Sequence, residues 1–255
     1  LSGGSPRSVH RTDVLIHALN ALLLWRVLGL LLARRGPQVS RSLLILLAWA
    51  LSLLWALHPM LTRAYAADMG RTHLLCATFV LLSLMMHIRA MEPGRGTLFV
   101  WALLLLIAAM LCKAAVGWVL VVLVLEWSLI GWRAALQSPR IYLVGLICAI
   151  FAALTYWTTQ RAGLVEDASV GLFGDPIARS AMAVWLYARN LFMPLWLCFW
   201  YPPDPRTGWT SPLVWLGVLP ALGSIVHAVR SLRSPRQRAA AVGWAWCWGL
   251  LLPVI

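Results

Sequence analysis

From Thr97 to Gly131 the chain reads TLFVWALLLLIAAMLCKAAVGWVLVVLVLEWSLIG, interrupted by two charged side chains, Lys113 and Glu126. As one helix this stretch would run about 52 Å at 1.5 Å per residue, well beyond a hydrocarbon core of about 30 Å, so a turn is expected inside it. Lys113, the single lysine of the chain, marks the expected tip. An ammonium group at membrane depth costs roughly 2.5 to 3.5 kcal/mol on insertion scales, so it needs an anionic partner, a wet cavity or a helix end at the surface. It is therefore the first candidate for function.

The remainder of the chain is equally apolar. With 62% hydrophobic residues there is too little polar surface to cover a water-soluble globule, and the composition is that of an integral membrane protein. Apolar segments suited to spanning occur at 11–33, 41–57, 74–89, 97–112, 114–131, 141–157, 212–229 and 239–255. The expectation is an all-α polytopic protein with about eight spanning helices in a single transmembrane domain over 1–255. A ninth segment, 177–200, closes the topology only if it does not cross, so an interfacial or re-entrant helix is expected there, interrupted by Arg189, Asn190 and Pro194. The chain opens at Leu1 and closes inside an apolar run, which reads as a piece of a longer protein, incomplete at both ends.

Twenty arginines and one lysine against eight acids give a net charge of +13. The arginines lie between apolar runs rather than in one stripe, so they read as topology signals and lipid-phosphate contacts, not as a nucleic-acid surface. Arg34, Arg35 and Arg41, then Arg89 and Arg95, then Arg133 and Arg140, then Arg230, Arg233, Arg236 and Arg238 mark four loops on the cytoplasmic side. Alternation puts 58–73, the surroundings of Lys113, 158–180 and 201–211 on the other side, with Asp68, Glu166, Asp167, Asp175 and Asp204. The five cysteines show neither a disulfide framework nor metal-ligand spacing. No metal motif, nucleophile elbow or phosphate-cradling glycine loop is present, and no cofactor is implied.

Three polar groupings remain. His10, Asp13, His17 and Asn20 share one face of the first helix at i, i+3, i+7 and i+10; they form either one wall of a substrate cavity or a helix-packing hydrogen-bond network. His58, Arg63, Asp68, Arg71 and His73 crowd the next non-cytoplasmic loop, where Arg63 and Arg71 are suited to bidentate phosphate binding or, equally, to pairing with acids or headgroups. Lys113 either snorkels from its tip or neutralises a bound phosphate. Further on, PLWLCFWYPPDPRTGWTSP combines aromatics, prolines and Asp204, suited to a sugar face or an acyl chain, or to anchoring a loop in the headgroups. Glu126 reads as a helix-packing or interface residue.

The segments TDVLIHALNALLLWRVL, ALHPM, GRTHLL, MLCKA, FWYPPDP and WCWGLLLPV occur in that order. Together they resemble the motifs H-x-x-N-x-L-L, A-L-H-P, G-R-x-D-L-L and L-S-K-E of bacterial relatives of the transmembrane and tetratricopeptide-repeat O-mannosyltransferase-like family, members of the GT-C class of polytopic glycosyltransferases. The resemblance implies many membrane helices beneath long non-cytoplasmic loops, and inverting sugar transfer from a polyprenyl-phosphate donor to a protein or glycan acceptor. Its setting would be a bacterial inner membrane with the site on the periplasmic side. It assigns substrate-binding roles by position to His17, Asn20, His58, Arg71 and Lys113, with Arg63 added from the loop.

Departures from the family pattern remove three acids: Arg63, His73 and Ala114 stand where the family has glutamate, aspartate and glutamate. The family's acidic catalytic motif belongs to a first loop upstream of the histidine-asparagine helix, and its repeats lie downstream; this sequence contains neither. The catalytic base is thus unassigned, with Asp13 and Asp68 the acids nearest the expected cleft. A non-catalytic relative that binds lipid phosphate or scaffolds other proteins is the rival expectation. A transporter with Asp13, His17 and Lys113 along its path is a further one, opposed by the polar residues gathering at one surface instead of midplane.

Overall fold

A computed structural model describes residues 6–33, 40–61, 70–114, 117–163, 175–194, 208–234 and 237–251. Among them the secondary structure is helical throughout, with no strand. In chain order the α-helices among the described residues are α1 (Pro6–Ala33), α2 (Arg41–Leu57), α3 (Gly70–Ala90), α4 (Leu98–Cys112), α5 (Trp118–Ile130), α6 (Trp132–Gln137), α7 (Pro139–Arg161), α8 (Asp175–Phe192), α9 (Pro212–Arg233) and α10 (Arg238–Leu251), with a 3₁₀ turn at Pro59–Leu61.

Four of these helices are long and apolar enough to cross a membrane: α1 over Arg7–Ala33, α3, α7 and α9, with 27, 21, 23 and 22 residues. The apolar helices α2, α4 and α5 have 17, 15 and 13 residues, which at 1.5 Å per residue is about 26, 22 and 20 Å of rod. The eight runs expected from hydropathy thus resolve into four full-length helices and shorter ones. The cause is visible at Lys113. It caps α4 in extended conformation (φ −162°, ψ 133°) and its N–H bonds to Ala109 O, while α5 begins only at Trp118 and stops at Gly131, whose φ of 89° suits glycine. An apolar run counts such caps as membrane-spanning residues, whereas a helix does not. The expected break at Lys113 is present.

Packing divides the described residues into two compact units, Leu1–Val116 with Gln137–Cys148, and Gly117–Leu136 with Ala149–Ile255. In the first, α1 packs on α2 and α3, and α3 packs on α4. α2 meets its neighbours through small and polar residues and turns its leucines outward. On α2 the buried residues are Ala48 and Ser52, while Leu46, Leu54 and Leu57 are 64%, 67% and 78% exposed. That arrangement suits lipid, where burying leucine between helices brings no hydrophobic gain and close backbone approach does. Ser52 Oγ donates to the Ala21 carbonyl, and Trp25 stacks on Trp49 at 4.7 Å.

α3 and α4 form an antiparallel hairpin. Its turn closes through Glu92 N to Arg89 O, Arg95 N to Glu92 O and Leu98 N to Arg95 O, with Gly94 in the left-handed region at φ 77°. Ser83 Oγ donates to Ala102 O at 2.7 Å across the pair. The same register carries Lys113 back to the first turn of α3. At the turn end, Arg95 pairs with Glu92 at 2.8 Å, and Arg140 donates to Ala90 O at 3.4 Å while its guanidinium lies 5.9 Å from the Phe99 ring centroid.

In the second unit α9 packs on α8 and α10, and α10 on α5. Gly217 makes the α8–α9 contact possible, since a Cβ there would come within 1.8 Å of Ala181 O. Trp244 Nε1 donates to His227 Nδ1 at 2.9 Å and Trp248 Nε1 to Ser224 Oγ at 3.0 Å, and Trp118 meets Trp246 edge-on at 5.4 Å. Glu126 is fully buried in α5. The segment expected to be broken near Arg189 and Asn190 is instead continuous. Both residues lie inside amphipathic α8, where Arg189 Nε and Nη2 donate to Asn190 Oδ1 at 3.3 and 3.1 Å, and the helix ends at Phe192, short of Pro194.

Candidate functional site

The polar residues of the first unit sort into two groups. The inner group lies along α1. Asn20 is fully buried; its Nδ2 donates to Leu74 O at 2.9 Å and its Oδ1 accepts from Thr78 Oγ1 at 2.7 Å. His17 Nε2 lies 2.9 Å from Ala56 O. A carbonyl only accepts, so Nε2 carries the proton. Ala56 is in the last turn of α2, where carbonyls have no helical donor, so His17 supplies one from the neighbouring helix. Its ring also lies 5.2 Å from that of Trp55. These residues stitch α1 to α2 and α3. His10, on the same stripe, is exposed.

The outer group gathers where α1, α2 and α3 meet the returning end of α4. Asp13, 4% exposed, accepts from Arg71 Nε at 2.7 Å, and Arg71 Nη2 donates to Val9 O at 3.1 Å. His58 ends α2 in extended conformation, and its Nδ1 accepts from Met60 N at 3.2 Å, which shapes the 3₁₀ turn. Lys113 Nζ lies 3.2 Å from His73 Nδ1, and Cys76 Sγ donates to Lys113 O at 3.8 Å. An ammonium only donates, so the ring nitrogen facing it is the unprotonated one. Arg71 and His73 both stand in the first turn of α3, which carries no acidic residue and whose N–H groups favour an anion.

Of the sequence-derived candidates, Arg71 and Lys113 therefore reach the same end of the unit, His58 shapes the chain there, and His17 and Asn20 are engaged in helix packing. Arg63 and Asp68 lie outside the described residues. His73 was not among the candidates. Its sequence signals are its membership of the polar 58–73 cluster and its place two residues after Arg71, where the resembling family carries an acid. Thr78, Ser52 and Ser83, which complete the inner contacts, gave no signal, because one hydroxyl in an apolar helix is common.

Among the described residues no group of three or more His, Cys, Asp or Glu side chains is placed to hold a metal ion. A cleft of about 120 Å³ lined by Leu123, Trp127, Trp132, Ala135 and Leu136 presents only apolar surface and does not suit a charged ligand. Compared with family models, with curated proteins and with solved structures, the chain finds no match in any of the three.

Proposed function

We propose that this chain is a polytopic membrane glycosyltransferase of the GT-C type, which holds the phosphate of a polyprenyl-phosphate-linked sugar against Arg71 and Lys113, with His73 steadying the ammonium. The observation that carries the reading is the 3.2 Å contact between Lys113 Nζ and His73 Nδ1. It brings the chain's single ammonium to the helix turn that also holds Arg71, at one end of a hairpin. In an inverting transfer the acceptor oxygen bonds to the anomeric carbon as the bond to phosphate oxygen breaks, and the polyprenyl phosphate leaves with added negative charge. Fixed cations and helix N–H groups at that position stabilise the developing charge. The acceptor proton is not assigned to Asp13, which is bound to Arg71, or to Glu92, which pairs with Arg95 at the opposite end of the hairpin.

The finer topology belongs to the same proposal. Arg89, Arg95 and Arg140 mark the cytoplasmic end of the first unit, and Arg71 and Lys113 the periplasmic end, in a bacterial inner membrane. The shorter apolar helices α2, α4, α5 and α10 complete eight crossings, and amphipathic α8 lies at the interface. Partners are membrane lipid, the donor lipid, and a protein or glycan acceptor.

The engagement of Asp13 by Arg71 favours a second reading, a relative that binds the lipid phosphate without transferring sugar. Full-length protein in proteoliposomes, supplied with labelled polyprenyl-phosphate hexoses and acceptors, decides between the two. Transfer that is lost in Arg71→Ala supports the enzyme. Binding of the donor lipid without transfer leaves only the second reading.

A further inference from the structure

Arg71 uses one edge of its guanidinium inside the protein. Nε donates to Asp13 Oδ1 at 2.7 Å and Nη2 to the Val9 carbonyl at 3.1 Å. Both partners come from one turn of α1, whereas Arg71 itself begins α3. A guanidinium offers five N–H donors in a rigid plane, so filling the Nε/Nη2 edge leaves the Nη1/Nη2 fork for another acceptor. Among the described residues nothing accepts from Nη1, and the Arg71 side chain is 39% exposed while that of Asp13 is 5% exposed. One edge is clamped in the helix packing and the other is offered outward.

We propose that Asp13 is a positioning residue, which clamps Arg71 so that its Nη1/Nη2 fork is presented, already oriented, to an oxyanion of a phosphate ester. The inference rests on the phosphate-site reading above and adds a role to it. Asp13 is thereby removed from the candidates for proton abstraction, since its buried carboxylate is spoken for by the cation it orients. The clamp also gives a reason for an acid within a cation site. The carboxylate and the ligand sit on adjacent edges of the same planar ion, which share Nη2, so Asp13 restricts the fork without occupying it. An unclamped arginine would have to freeze several side-chain torsions on binding, and a preoriented one has lost that freedom already.

The test uses the full chain in phosphatidylcholine nanodiscs and three probes: a short polyprenyl monophosphate, the matching polyprenol and inorganic phosphate. Asp13→Ala is expected to weaken polyprenyl monophosphate binding about tenfold, the scale of one charge-assisted hydrogen bond, and to leave polyprenol binding unchanged. Asp13→Asn keeps an acceptor oxygen against Nε and is expected to restore affinity to within about threefold of wild type. In an Arg71→Ala background the Asp13→Ala loss should vanish. Losses that multiply in the double variant, a gain of affinity in Asp13→Ala, or a parallel loss of polyprenol binding would each overturn the assignment. Preference for polyprenyl phosphate that is indifferent to Asp13 would sink the positioning role and spare the donor-lipid reading. Inorganic phosphate binding with the Asp13 pattern, but no preference for polyprenyl phosphate over polyprenol, would do the reverse. Binding of neither phosphate probe would remove both.

Discussion

Asn20 and Arg71 are both polar residues in a largely apolar chain, both at the α1–α3 contact, and the protein treats them differently. Asn20 is fully buried, with its amide nitrogen and oxygen both answered by α3. Arg71 is answered on one edge by α1 and remains partly exposed on the other. In a membrane segment a polar side chain is either helix-to-helix glue or part of a site. What separates the two cases is whether its hydrogen-bonding capacity is exhausted within the helices. By that criterion the α1 stripe is mainly glue, and the proposed site lies at its outer end, where α3 begins and α4 returns.

The largest effect is expected from removing both outer cations. Arg71→Ala with Lys113→Ala should lower affinity for a polyprenyl monophosphate by about a hundredfold or more, from two charge-assisted contacts at about 1.5 to 3 kcal/mol each, and should lower stability as well, because buried Asp13 loses its partner. Equal losses for polyprenyl phosphate and polyprenol would show that the cations are not a phosphate site. Asn20→Leu should affect stability alone. Stability is expected to fall by about 1 to 2 kcal/mol, because Thr78 and α3 lose a buried partner, with phosphate selectivity retained. An Asn20→Leu protein of normal stability that no longer discriminates phosphate would place Asn20 in the site and collapse the distinction.

The break at Lys113 was legible because length alone forbids one helix from Thr97 to Gly131. An interfacial or re-entrant helix over 177–200 was expected only because the topology closes if that segment does not cross, and the continuity of α8 through Arg189 and Asn190 was not legible, since charged residues do not end a helix whose side chains satisfy each other locally. Periodicity placed Asp13, His17 and Asn20 on one face but could not say what stands opposite. Arg71 lies fifty-eight residues from Asp13 and Thr78 equally far from Asn20, so these pairs come from tertiary packing alone. His73 stood in the polar cluster of the 58–73 loop, but its contact with Lys113 became visible only when the α3–α4 hairpin brought the two together. Apolar runs were also poor guides to helix ends, because Gly131 and the cap at Lys113 interrupt the backbone with little change in hydropathy.

Two smaller effects sharpen the outer end against the turn end of the same hairpin. His73→Ala should weaken phosphate-lipid binding by about threefold, because it loosens Lys113 without removing the ammonium; this can be read by titration in nanodiscs. A hundredfold loss would make His73 a direct ligand instead. Glu92→Gln, which removes the solvent-facing pair with Arg95, should shift stability by less than about 0.5 kcal/mol and leave binding unchanged. A binding defect there would mean that the two ends of the hairpin do not differ as described.

The central claim, that the only lysine stands in a phosphate-lipid site at the non-cytoplasmic end of the α3–α4 hairpin, is open to chemical labelling. With no other lysine in the chain, a membrane-impermeant amine reagent reports on Lys113 by peptide mapping in sealed, oriented vesicles. The account predicts modification from the non-cytoplasmic side and protection by polyprenyl monophosphate but not by polyprenol. Modification only from the cytoplasmic side, or equal labelling with and without the phosphate lipid, would contradict it.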